Sequence, residues 1–208
     1  MSAFLGKIHY WLYGKIQLHE VLIREIATLA RVREIPVDGI LREGQERFGP
    51  PVTGPLEEQI DHGNIHGWLQ ERIASVESRL AHLVTGLLET GKITLEPMVA
   101  VAGQNGTTEA EKLADFPTTP QELFDLVNDY MLDGMPCDRV QEVVASDAKK
   151  IAWRNTTCLH TDYWAAAGGQ VEHYYDMKNR WIREFINGSG TGFQYRQDAD
   201  GTAMIWRD

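Results

Sequence analysis

The chain of 208 residues has very little cysteine, only Cys137 and Cys158, so no disulfide framework holds it together. It has no apolar stretch near the ~18 residues needed to span a bilayer, because Lys7, His9 and Lys15 interrupt the first hydrophobic segment. Positive charge is scarce as well. Twenty Lys and Arg against 30 Asp and Glu give a formal charge of -10 and a pI near 5.2, and no basic run is longer than Lys149-Lys150. Such a surface repels nucleic acid and anionic membranes, so neither is expected as a partner. The start lacks the order of a secretion signal, and a cytoplasmic location is the expectation. Also missing are a phosphate-binding Gly-rich loop with its lysine, a Gly-x-Gly-x-x-Gly after a strand, and a Gly-x-Ser-x-Gly elbow. The partner left is a small-molecule ligand or substrate, and a homo-oligomer is compatible with the composition.

What the chain does contain is helical periodicity in its first part and strand alternation in its last. The length suits one domain with a helical half, residues 1–136, and a mixed half, residues 137–208. Leu5, Ile8, Leu12, Ile16, His19, Leu22, Ile23, Ile26 and Leu29 fall at helical spacing and predict a helix from Ser2 to Arg33, ended by Pro36. A short helical piece follows at Val37 to Arg47. Pro55, Glu57 and Glu58 suit the start of a second long helix running to Glu89. Its seam is His62, His66, Leu69, Ile73, Val76, Leu80, Leu83 and Leu87. Lys92 to Pro117, with its Gly103-Gln104-Asn105-Gly106 run, reads as a loop with a short helix at Thr108 to Ala114. Thr119-Pro120-Gln121-Glu122 is a capping box opening a third helix that ends near Gly134.

Beyond it, Val140 to Ala145 is β-branched and reads as strand, with helix as the competing assignment. Lys150 to Thr157 alternates Ile151, Trp153 and Asn155 against Ala152, Arg154 and Thr156, the period of a strand. Two helical pieces follow, separated by Gly168-Gly169. The end is a hairpin of Gly192 to Gln197 and Thr202 to Arg207 turned by Asp198-Ala199-Asp200-Gly201. The fold class expected is α+β: long antiparallel N-terminal helices packed on a small C-terminal antiparallel sheet.

Two groups of residues carry chemistry. Cys158 follows a strand and is flanked by Thr156, Thr157 and His160, with His173 on the next helix. A thiol needs a base or cation nearby to act as a nucleophile at neutral pH, and His160 and His173 are the candidates. A buried Cys158 filling core space is the plainer alternative. The second group is His62 and His66, four apart as on one face of a helix. With His19 on a facing stripe they could offer three ligands to a divalent transition metal such as zinc. No His-Glu-x-x-His order accompanies them, and hydrogen-bonded structural histidines explain the same spacing.

The run Glu142-Val143-Val144-Ala145, the strand to Thr157, Cys158, a helix ending Arg183-Glu184-Phe185-Ile186-Asn187, then Gly192-Phe193-Gln194-Tyr195-Arg196 and an Asp/Gly turn resembles the C-terminal part of the L-2-amino-thiazoline-4-carboxylate hydrolase-like family. The resemblance spans about 65 residues and rests on layout. It implies an α+β fold and cysteine-dependent hydrolysis of a ring C-N or C-S bond. Only Cys158 matches a cysteine of that family; His173 or Tyr174, and Ala203 or Met204, stand where it has others. Three functions follow as expectations: a hydrolase using Cys158, a metal-dependent helical-bundle enzyme using His19, His62 and His66, and a ligand-binding domain without catalysis.

Overall fold

The structure, a computed structural model, describes residues 5–207. Helix α1 (Lys7–Val32) is the predicted first helix, with Gly6 as its N-cap; the residues expected to begin it, from Ser2, lie outside the described ones. Most of its stripe is buried or half-buried, with Leu12, Ile16 and Ile26 at most 2 % exposed, but Ile8 near its start is 49 % exposed. Helix α2 (Asp38–Phe48) follows and packs on α4.

The second long helix is interrupted, contrary to the sequence-based expectation. It consists of a single turn, α3 (Leu56–Gln59), and the long α4 (Ile65–Glu89). The break has a local cause: Asp61 Oδ1 accepts from the Gly63 amide at 2.8 Å and Asn64 Oδ1 accepts from the Gly67 amide at 3.1 Å. Side chains that capture nearby amides offer the backbone an alternative to helix, and Asn64 thereby becomes the cap of α4.

The segment expected to be mostly loop forms α5 (Leu95–Ala110). Its glycines mark close packing where a turn was expected. A Cβ on Gly106 would lie 2.4 Å from the Trp181 carbonyl oxygen, and one on Gly103 would lie 3.0 Å from Arg180 Cγ. Glycine lets α5 lie against the backbone of α8, an approach any larger residue would prevent. Helix α6 (Pro120–Tyr130) starts at the predicted capping box, Thr119 Oγ1 accepting from the Glu122 amide at 3.2 Å, and ends four residues before Gly134.

A 3-10 turn, Pro136–Asp138, leads into β1 (Gln141–Ser146) and β2 (Lys150–Asn155). Then come α7 (Thr161–Ala166), α8 (Val171–Gly188), β3 (Gln194–Gln197) and β4 (Ala203–Trp206). The four strands form one antiparallel sheet in the order β1-β2-β4-β3, with Trp153 opposite Ala203 and Ile151 opposite Ile205. The fold is α+β, helices first and a small antiparallel sheet last.

Alternation puts Ile151, Trp153, Tyr195, Ala203 and Ile205 on one face of the sheet, where they pack with Leu123 and Val127 of α6 and with Trp181, Ile182 and Phe185 of α8. A second apolar cluster joins α1, α4 and α5 and takes in Trp164, Tyr174 and Met177. Helix α8 thus serves both clusters, its first half the helical bundle and its second half the sheet. Among the described residues no helix is long and apolar enough to cross a membrane.

Candidate functional site

Between the bundle and the sheet lies a set of charged side chains buried side by side. Glu77 of α4 is 1 % exposed and His160, just before α7, is 2 % exposed. His160 Nδ1 lies 3.1 Å from Glu77 Oε1, and His160 Nε2 lies 3.2 Å from Asp133 Oδ1. A carboxylate only accepts, so both ring nitrogens donate and the ring is an imidazolium. Burial pushes its pKa down, but the charges of Glu77 and Asp133 and their hydrogen bonds outweigh that and raise it to about 9.

Asp133, in the loop after α6, is held from several sides. Lys178 Nζ of α8 donates to both its oxygens, at 2.6 and 2.7 Å, and Gln141 Nε2 donates to Oδ2 at 3.1 Å. Burial works against its charge, yet the cations Lys178 and His160 keep its carboxyl well below the usual range. The Tyr174 ring lies against His160 at a 32° tilt with ring centroids 3.9 Å apart, and burial raises its phenol well above the ordinary value. Glu77 Oε2 is buried without a hydrogen-bond partner among the described residues.

Helix α1 contributes Lys15 and His19 to this neighbourhood. Lys15 is 4 % exposed, and its Nζ sits 3.3 Å from the centroid of the Trp11 ring. Burial lowers its pKa to about 8, Lys178 adds to that lowering, and Asp133 and Asp129 pull the other way. His19 Nδ1 donates to the Lys15 carbonyl at 3.2 Å, and burial holds its pKa below the ordinary value. A cleft of about 190 Å³ opens here, lined among others by Trp11, Lys15, Asn128, Asp133, Arg139 and Gln141. Arg139 adopts a left-handed backbone, φ 49°, at its edge. Deeper in, a cavity of about 40 Å³, room for a water or two, touches His19, Tyr174 and Lys178, with Met131 lining both spaces.

Cys158 stands at the other side of His160. Its sulfur is exposed and accepts hydrogen bonds from Thr161 Oγ1 and from the Tyr175 hydroxyl, each at 3.1 Å. Burial pushes the thiol up, but these hydroxyls and the amides of His160 and Thr161 more than offset it, so its pKa falls below the usual value. Cys158 and Asp133 both act electrostatically on Tyr175, and Leu159 packs so close to Gly134 that a Cβ there would meet its Cδ1 at 2.3 Å. Leu159, next to Cys158 in sequence, thus touches the Gly134 wall of the cleft. No family model, curated protein or solved structure matches this chain.

The six residues singled out from the sequence are distributed unevenly. His160 is in the cluster, with both ring nitrogens engaged by carboxylates and only its backbone amide turned to Cys158. His173 packs edge-on against Trp164, its Nδ1 buried without a partner among the described residues, and no hydrogen bond joins it to the thiol. The expected metal triad is not assembled. His19 is buried on Lys15, His62 lies in the turn before α4 with Nε2 3.2 Å from the Glu57 carbonyl, and His66 Nε2 is 3.3 Å from His9 Nε2. Breaking the helix at Asn64 removes the shared face on which the spacing of His62 and His66 depended. Among the described residues no three His, Cys, Asp or Glu are grouped to hold a metal ion.

Sequence reasoning passed over Lys15, Glu77, Asp133, Tyr175 and Lys178. Lys15 and Glu77 had left a signal: each is charged at a position three or four residues from stripe members, Leu12 and His19 for one, Ile73 and Leu80 for the other. A charge inside a buried stripe needs a partner. Asp133 left none, being a loop acid whose partners are 8, 27 and 45 residues away.

Proposed function

We propose that the protein is a small-molecule hydrolase that cleaves a C-N or C-S bond of a small heterocycle or amide with Cys158 as nucleophile. The observation that carries this reading is the set of donors converging on the Cys158 sulfur: two hydroxyls and two backbone amides. Donors of this kind stabilise the thiolate directly, so the nucleophile forms without an imidazole taking its proton. His160 then acts as a positioning residue. Clamped between Glu77 and Asp133, it fixes the Cys158–Thr161 turn whose amides face the sulfur.

In the proposed reaction the thiolate attacks the electrophilic carbon, the bond to nitrogen or sulfur breaks, and the leaving atom takes a proton. Tyr175, whose phenol is raised by burial and by its bond to Cys158, stays protonated and can donate it. Water then attacks the thioester-like intermediate, returning the thiolate and supplying the proton that restores Tyr175. Polar groups of the neighbouring cleft hold the remainder of the substrate. A ligand-binding domain without catalysis is the second reading, favoured by the fact that the cleft around Lys15 and Arg139 is formed without any atom of Cys158.

Alkylation by iodoacetamide, followed by mass spectrometry against pH, separates the two. Cys137 is exposed in the same chain and is the internal control. A nucleophilic Cys158 reacts faster than Cys137 near pH 7 and slows when Tyr175 is replaced by Phe, which removes a donor to the sulfur. Equal rates for the two cysteines, unchanged in Tyr175→Phe, favour the binding domain.

A further inference from the structure

Lys15 is a cation of the buried cluster that lines the cleft and to which the proposed hydrolysis gives no chemical step. Among the described residues it makes no salt bridge and its Nζ no hydrogen bond; its Nζ sits over the face of Trp11, 3.3 Å from the ring centroid. By comparison, Lys178 chelates Asp133 with both contacts under 3 Å, and Arg79 of α4 forms a two-pronged pair with Glu20, Nη1 to Oε2 at 2.9 Å. A lysine 96 % removed from solvent that lines a cleft without an anionic partner is an unusual expense for a fold, since a purely structural position would accept methionine or leucine.

We propose that Lys15 is a carbonyl-reactive amine, and that the cleft admits a small aldehyde or ketone bearing a carboxylate, which condenses with Lys15 to a protonated imine. The cleft, about 190 Å³, has room for a small guest of this kind. Arg139, Asn128 and Gln141 on its wall are donors for a carboxylate, while Trp11 covers one side of the amine. The condensation is balanced without any further reactant. The nitrogen lone pair attacks the carbonyl carbon, the C=O π pair moves to oxygen, nitrogen gives up a proton and oxygen takes one. The hydroxyl then leaves as water after a second protonation, and the nitrogen keeps the positive charge as iminium. Asp133 and Asp129, which favour the ammonium, favour the iminium for the same reason.

Availability of the free amine supports the geometry. An ordinary lysine is almost wholly protonated at pH 7, whereas a pKa near 8 in place of 10.5 gives about 300-fold more free amine. This activity is independent of the thiol chemistry, and the experiment keeps the two apart.

The intact protein carrying Cys158→Ala, so that the Cys158 thiol beside the cleft cannot trap the aldehyde, is incubated with glyoxylate and cyanoborohydride at pH 7, and lysine labelling is followed by peptide mass spectrometry. Lys149 and Lys150, exposed at the start of β2, are the reference amines. Labelling of Lys15 at least about tenfold faster than either, lost when the protein is unfolded in urea, is the expected result. Slower labelling with acetaldehyde than with glyoxylate is the further expectation, because acetaldehyde has no carboxylate. Lys15 labelled no faster than Lys149 and Lys150 overturns the proposal, and equal labelling by the two aldehydes overturns its carboxylate requirement. Loss of reactivity at Cys158 alone would leave these rates unchanged.

Discussion

Raising the pH from 6.5 to 8 is expected to weaken this fold by about 2 kcal/mol, because the His160 imidazolium is part of what joins α4, the Asp133 loop and α7. The folded pKa of His160 is raised from 6.5 to about 9. A raised pKa means that the stabilisation is complete below 6.5 and is lost as pH climbs through 9. Each pH unit in that window removes about 1.4 kcal/mol, so the first 1.5 units remove about 2. Lys15 has the opposite sign. Its pKa is lowered from 10.5 to about 8, so the unfolded chain binds more protons between those values and stability rises with pH there. From 8 to 9 the two slopes offset each other, and Cys158, also lowered, acts in the sense of Lys15. Below 6.5 the lowered pKa of His19 makes stability rise towards 6.5, so the maximum falls near that pH. Urea unfolding at half-unit steps of pH, extrapolated to water, measures the curve. In Lys15→Met the decline should continue to pH 9 and total about 3 kcal/mol. A stability that is flat or rising between pH 6.5 and 8 would refute the buried imidazolium.

The same cluster predicts that Asp133→Asn, which leaves Lys178 and His160 facing a neutral amide, destabilises by about 3–5 kcal/mol in urea unfolding. The His160 ring, followed by NMR, should then titrate below its value in the parent protein, having lost one of its two carboxylates. Packing of α5 on α8 predicts a contrast between two helical glycines: Gly106→Ala, with its Cβ 2.4 Å from the Trp181 oxygen, destabilises by about 1–3 kcal/mol or more, whereas Gly14→Ala, with nothing within 4 Å, stabilises by about 0.5–1 kcal/mol. Thermal or urea melts of the pair check both signs.

Local chemistry made much of the fold legible from sequence. The stripe of α1, the Thr119 capping box, the alternation of β2 and the terminal hairpin each depend on residues within a few positions of one another, so periodicity and cap signals identify them. The failures came where a distant contact or a competing local bond decided the outcome. Gly103 and Gly106 look like a turn until α8 is laid against them, because the reason for glycine there is 75 and more residues away in the chain. The expected long helix from Pro55 looked continuous by its apolar spacing, and the side chains of Asp61 and Asn64, bonding to backbone amides, stopped it.

The candidate site divides in the same way. The sequence alone determined that Cys158 and His160 are neighbours just after a strand, and that charges sit within the stripes of α1 and α4. Only the tertiary structure decided that the His160 ring turns from the thiol to Glu77 and Asp133, that Tyr175 faces the sulfur in place of an imidazole, and that Lys15 lines a cleft without forming a salt bridge. The physical reason is that a buried ion takes its partner from whichever element packs against it. Glu77 and Asp133 are 83 and 27 residues from His160, and no pattern of adjacent residues records separations of that length.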